Sequence, residues 1–203
     1  MALATYFNQI TVDKVKELYT KKNYKLYSTA DYNVNIFGIR SAENKANTFN
    51  DVVGILYKVK GVWVLKKYEA TVDPGLYYRQ NPINANGTAI IQPGYYQSVY
   101  AVGLHQNKYE ALKQVKPIKY WRDNNKDGIL DRSGKTYEEI GGTNIHRATA
   151  HPGQRSVLVD KWSAGCMVLS GYDDFQEFLG IVKRARDLYG NHFSFALFEE
   201  SDL

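Results

Sequence analysis

Cys166 is the single cysteine of the chain and stands in the run Ser163-Ala164-Gly165-Cys166, twenty residues after His146. A lone thiol has no partner for an intramolecular disulfide, so it is either a small buried apolar side chain or a reagent. As a reagent it needs a base, because a free thiol has a pKa of about 8.5 and only the thiolate attacks. His146 lies in Thr143-Asn144-Ile145-His146-Arg147, which reads as the end of a short strand able to hold an imidazole at a fixed sheet edge. Gly165 has no side chain to block a substrate carbonyl from the N–H groups around the thiol. Nucleophile, base and oxyanion donors are the parts of acyl transfer. The competing reading is a buried structural cysteine beside a hydrogen-bonded histidine.

The local pattern resembles the L,D-transpeptidase catalytic domain, the YkuD-type domain, in which a His is followed at a distance by Ser or Thr, then His, Gly, Cys, a hydrophobic residue and Arg or Asn. Here sixteen residues separate His146 from Ser163-Ala164-Gly165-Cys166-Met167-Val168. Two positions depart from the pattern, Ala164 where the family usually has a second His and Val168 where it has Arg or Asn. The first removes a side chain that often lines the site, and the second bears on how a substrate carboxylate is held. Upstream, Ile91-Gln92-Pro93-Gly94-Tyr95-Tyr96 and Tyr68-Glu69-Ala70-Thr71-Val72 are similar to two strand segments of the family, so the likeness runs over about residues 52–198.

The resemblance implies that Cys166 is the acylated nucleophile and His146 its general base, oriented by the backbone carbonyl of Arg147. It places the oxyanion hole on the backbone of Ala164, Gly165 and Cys166. It implies an α+β, mainly β fold: a YkuD-type sheet or barrel core at residues 51–203 with a C-terminal flanking helix, preceded by an N-terminal helical extension at residues 1–50. The implied activity is acyl transfer on peptidoglycan stem peptides, giving 3-3 cross-links if an amine accepts the acyl group and L,D-carboxypeptidase or endopeptidase action if water does. The alternative is a calcium-stabilised cell-wall-binding or virion structural module without turnover.

Ser163, Trp162 and His105 are the residues expected to touch substrate. His105 follows a predicted strand, and its competing reading is a satisfied structural histidine. Lys161 would bring a cation near the thiol, while Trp162 either packs on the substrate or anchors a strand in the core. His151 reads as a surface residue in the loop between base and nucleophile. A second motif, Asp123-Asn124-Asn125-Lys126-Asp127-Gly128-Ile129-Leu130-Asp131, sets oxygen side chains at alternate positions with Gly sixth, like the start of a calcium loop. Asp123, Asn125, Asp127, Asp131 and the carbonyl of Ile129 would be the ligands of a structural ion. Gly134 stands where the twelfth-place Glu would be, and the competing reading is a solvated Asp/Asn turn. No cofactor is required for the chemistry.

With 203 residues, 44% hydrophobic and 23% charged, the composition suits a chain with one good core. Seventeen tyrosines lean towards strands. A formal charge of +5 points to an acidic partner, but the cations are scattered and no nucleic-acid-binding signature occurs, so an anionic cell wall is the better match. The absence of a basic, apolar leader and of an apolar run of about 18 residues predicts neither a signal peptide nor a membrane span. Such a protein is expected to be made in the cytoplasm and to act at the bacterial cell wall, delivered or released as a phage lysin would be.

Thr11 is placed to cap a helix over residues 12–22 in which Val12, Val15, Leu18 and Tyr19 share a face. Strands are predicted at 35–39, 52–58, 62–72, 88–91, 98–104, 118–122 and 192–198, with a turn at Lys60-Gly61 and a turn-rich segment at 73–86. Asp173-Asp174 opens a helix with the stripe Phe175, Phe178, Leu179, Val182, stopped by Gly190.

Overall fold

Thr11 closes the first helix as its sequence predicts: its side chain accepts from the Lys14 N–H at 3.2 Å, and α1 runs over Val12–Lys21. This computed structural model describes residues 6–203. The buried stripe Val15, Leu18 and Tyr19, with Tyr6 and Ile10, packs on Phe37, Ile39, Val52, Leu56, Ala196 and Phe198.

Those partners are the outward-facing residues of three strands, β1 (Asn35–Arg40), β2 (Asp51–Val59) and the last strand of the chain, β11 (Phe193–Glu199). Their alternate residues Ile36, Val53, Ile55, Phe195 and Leu197 point the other way, into the main core. Side chains alternate faces along a strand, and here both faces are apolar because the helix covers one and the barrel interior the other.

The remaining elements are β3 (Val62–Thr71), α2 (Leu76–Gln80), β4 (Thr88–Ile91), β5 (Gly94–His105), β6 (Tyr109–Gln114), β7 (Ile118–Asp123), β8 (Tyr137–Glu139), β9 (Ile145–Arg147), β10 (Met167–Leu169) and α3 (Tyr172–Tyr189). Eight strands close a barrel in the order β1-β11-β5-β6-β9-β10-β3-β2, and β4-β7-β8 form a separate small sheet. The β2–β3 hairpin turns on Lys60 (φ +51°) and Gly61 (φ +77°), the double positive φ that matches strand twist in a two-residue loop. α3 sends Phe175, Phe178, Leu179, Val182 and Ala185 into the main core. Each such fully buried large side chain contributes roughly 1.5–3 kcal/mol of transfer free energy. The fold is therefore mainly β with a few helices, as expected. Among the described residues no helix is long and apolar enough to cross a membrane.

The structure differs from the sequence reading in several places. The boundary expected at residue 50 falls between β1 and β2, which are paired neighbours in the barrel, so residues 35–40 are a stave of the barrel rather than part of an extension. β5 starts at Gly94 rather than Ser98 because Ser98 has φ +54° and the ladder to β11 shifts register there. β6 reads Tyr-Glu-Ala-Leu-Lys-Gln, mostly weak strand formers, and β8 and β10 have three residues each, too short for a period-2 signal.

Beneath the ends of β1 and β11 lies a buried knot of charges. Arg40 Nε is 3.1 Å from Asp73 Oδ1, Arg40 Nη1 is 3.2 Å from Glu199 Oε1, and Arg132 Nη2 reaches Asp73 Oδ2 at 2.9 Å. Asp51 accepts from the Ser41 and Val72 N–H groups at 2.7 and 2.8 Å. Every cation in this knot has a carboxylate.

Candidate active site

β9 and β10 run parallel, with Val168 opposite His146 and Met167 opposite Ile145. The odd residues Ile145, Met167 and Leu169 enter the main core. The even residues must therefore face outward, and Cys166, just ahead of β10, packs with Val168, Ala148, Val159 and Phe49 in a small outer cluster. Thiol and imidazole thus share one face of the sheet on neighbouring strands. That is why a spacing of twenty residues in the chain becomes proximity in space.

His146 is buried, and its Nδ1 lies 2.9 Å from the Arg147 carbonyl oxygen. A carbonyl only accepts, so this contact fixes the proton on Nδ1 and leaves Nε2 as the acceptor. The Tyr109 hydroxyl stands 3.3 Å from the same Nδ1 and 3.4 Å from the Arg147 carbonyl. With Nδ1 protonated, that hydroxyl donates to the carbonyl. Burial first, and the neighbouring His105 second, lower the His146 pKa to about 3. Burial likewise pushes the Cys166 thiol up to about 11. Both shifts favour the uncharged forms of the two side chains.

The sulfur is held by the strand that carries the histidine. Cys166 Sγ accepts from the Asn144 N–H at 3.4 Å and donates towards the Gly142 carbonyl at 3.6 Å. Among the described residues no hydrogen bond joins it to His146, so the thiol must turn from Gly142 before it can give up its proton there.

The turn before the thiol depends on Gly165, whose φ is +126° and at which a Cβ would lie 2.9 Å from the Ala89 carbonyl oxygen. Ser163 has a different job from the substrate contact expected of it. It is 0% exposed, and its hydroxyl accepts from Gly165 N–H at 3.2 Å and donates to the Cys166 carbonyl at 2.7 Å. That bond also engages the Gly165 N–H. Among the described residues the N–H groups of Ala164 and Cys166 make no hydrogen bond.

A cleft of about 450 Å³ opens against His146, with His105, Tyr109, Arg147 and Trp162 among its walls. Trp162 is 43% exposed and donates through Nε1 to the Ser156 hydroxyl at 3.2 Å, so it faces the cleft rather than the core. Lys161 also lines the cleft, with its Nζ 4.3 Å from the Tyr77 ring. His105, at the end of β5, stacks on His146 with ring centroids 4.1 Å apart, and its Nδ1 pairs with Asn144 Nδ2 at 3.0 Å. His151 is exposed and not part of this wall. Ala164 lines a second cleft, of about 310 Å³, with Ala89, Gly141 and Thr88. Val168 is fully buried.

Tyr109 and Asn144 are the site residues that sequence reasoning missed. Alternation along β9 would have put Asn144 on the face of His146. For Tyr109 the one available signal was the short turn after His105 that returns the chain to the same edge.

The loop at 123–131 brings its oxygen atoms into one turn with Gly128 at φ +81°. Asp127 Oδ1 accepts from the Ile129 N–H at 2.7 Å, and Asn125 Nδ2 donates to Asp127 Oδ2 at 3.1 Å and to Asp131 Oδ2 at 2.9 Å. Asp123 is buried and accepts from the Asn125 and Asp131 N–H groups, both at 3.4 Å. An all-oxygen set of this kind suits a hard cation. Here the Asn125 amide bridges the two outer carboxylates, and among the described residues no cluster of three or more His, Cys, Asp or Glu is arranged as a metal site. Comparison of the chain with known protein families, curated proteins and solved structures returns no match.

Proposed function

We propose that the protein is a cysteine acyl-transfer enzyme of L,D-transpeptidase type acting on peptidoglycan stem peptides at the bacterial cell wall. The observation that supports this reading is His146 with Nδ1 bound to the Arg147 carbonyl, which leaves Nε2 as the acceptor on a strand adjacent and parallel to the one that Cys166 leads into. In that geometry His146 takes the Sγ proton as the sulfur adds to the carbonyl carbon of an L-centred residue. The oxyanion forms against the N–H groups of Ala164 and Cys166. Collapse breaks the peptide bond, the proton passes from His146 to the departing amine of the D-residue, and a thioester remains on Cys166. An amine or water then attacks the thioester, giving a 3-3 cross-link or a trimmed peptide and restoring the thiol. Burial, which disfavours both the thiolate and the imidazolium, favours proton transfer that accompanies attack on the substrate over transfer that precedes it. The 123–131 loop, by its oxygen donors, would hold a structural calcium ion with no part in these steps.

A second reading, a cell-wall-binding or virion structural module without turnover, is favoured by one observation: the thiol points to Gly142 and not to His146. Product analysis separates the two. After incubation with purified disaccharide-tetrapeptide, the first reading predicts trimmed or cross-linked muropeptides with the parent chain and unchanged substrate with Cys166→Ala. Unchanged substrate with both chains, together with retained wall binding, selects the second.

A further inference from the structure

The cleft against His146 is lined by Lys108, Arg147 and Lys161 together with two imidazoles, and no aspartate or glutamate lines it. Among the described residues none of these three cations pairs with a carboxylate. Nearby acids are engaged elsewhere: Glu110 binds Lys183 Nζ at 2.7 Å, Asp160 accepts from Asn47 Nδ2 at 2.9 Å, and Asp174 holds Arg155 at 2.7 Å. The guanidinium of Arg147 lies over two aromatic rings, with Cζ 4.1 Å from the Tyr109 centroid and 5.4 Å from that of Tyr172. It spends one N–H on the Thr149 carbonyl. A guanidinium held by ring faces keeps its planar fork ordered without an acid partner, ready for bidentate contact.

We infer that this cleft is an anion-selecting subsite in which Arg147, assisted by Lys108 and Lys161, admits peptide ligands that carry a free carboxylate. The inference rests on the acyl-transfer reading for placing the ligand's reacting bond beside Cys166, but the charge arrangement stands without turnover. The planar fork matches either oxyanion with two parallel hydrogen bonds, and a peptide carboxylate is favoured over phosphate because Trp162 and Tyr109 give the cleft apolar walls for a peptide. His105 reports the same field: burial first, then Lys108, Arg147 and Lys113, hold it below its ordinary pKa.

The test is calorimetry on the full-length Cys166→Ala chain at low salt, with N-acetyl-alanyl-alanine, its C-terminal carboxamide and inorganic phosphate as probes. The free acid should bind roughly tenfold tighter than the carboxamide or more, and tighter than phosphate, an advantage of at least about 1.4 kcal/mol. Arg147→Met should bring acid and amide to within about twofold, and Arg147→Lys should keep part of the preference. Lys108→Met and Lys161→Met, both at exposed positions, should each weaken it without depending on packing. Equal binding of acid and amide, no binding of either, phosphate matching the acid, or a preference that survives all three Met substitutions overturns the inference. Since no turnover is read, a chain without acyl-transfer activity can still pass this test. An enzyme that fails it remains an enzyme.

Discussion

The knot around Arg40 and the cleft around Arg147 are both rich in cations and differ in what answers them. In the knot, Arg40 and Arg132 meet Asp73 and Glu199, so each cation there is answered by a carboxylate of the fold itself. In the cleft, Arg147, Lys108 and Lys161 have aromatic rings or open space and no acid. Charges already satisfied within the fold maintain it, whereas charges left unanswered at a cleft wait for something from outside. The same contrast holds for the titrating groups. Burial and Asp73 push the Asp51 carboxyl up, while burial and His105 push His146 down.

The largest expected effect breaks the knot. Arg40→Met leaves the buried Asp73 with Arg132 alone and takes the cation from the half-buried Glu199, and should cost about 3–5 kcal/mol, whereas Arg147→Met loses a cation–π contact and should cost about 1 kcal/mol or less. Urea unfolding of the two variants measures the gap, and equal losses would erase the distinction between the regions.

Next in size is Gly165→Ala. A Cβ at φ +126° facing the Ala89 carbonyl should cost roughly 1–3 kcal/mol and displace the thiol. Unfolding and peptide-product assays on the same sample should fall together. A variant that is as stable and active as the parent would mean the turn is not held as described.

Acid should then separate the regions by sign. His146 has a folded-state pKa of about 3 against about 6.5 unfolded, so between those values the unfolded chain binds the extra proton and stability falls as pH falls. Removing that group with His146→Gln should therefore gain on the parent by about 1.4 kcal/mol per pH unit going down through this window. Asp51 is raised, so its folded form binds the extra proton, and Asp51→Asn should lose ground to the parent over the same descent. Unfolding curves at pH 4 to 7 measure both, and parallel profiles for parent and variants would contradict the assignment.

The smallest effect belongs to the 123–131 loop. Millimolar Ca²⁺ should raise Tm by about 2–4 °C through preferential binding to the folded chain, and Asp127→Asn should abolish the rise. No shift in differential scanning fluorimetry would assign the loop to its own hydrogen bonds alone.

What the sequence disclosed follows the range of the interactions. The contact of His146 with the Arg147 carbonyl was legible because it lies within one short motif, whose cysteine leads into the neighbouring parallel strand. The capped helix at Thr11, the Lys60-Gly61 hairpin and the stripe of α3 were legible because capping, turn and periodicity are local. The stacking of His105 on His146 was not, since β5 reaches β9 only through β6 around the barrel. The placement of Arg147 over Tyr109 and Tyr172 was hidden for the same reason, whereas the use of Ser163 within its own turn is local and was missed because a serine hydroxyl serves a turn or a substrate equally well. Unpaired cations are a property of the folded surface, and a net charge of +5 does not say where they gather.

The central claim, that Cys166 is a nucleophile served by His146, is tested most directly by intact-protein mass spectrometry during rapid mixing with disaccharide-tetrapeptide. The account predicts a mass increase on the parent chain equal to the acyl part of the donor, located at Cys166 and reversed by added amine. It predicts no adduct with Cys166→Ala and a much slower one with His146→Gln. A folded parent chain that never gains this mass, or gains it equally fast without His146, would contradict the account.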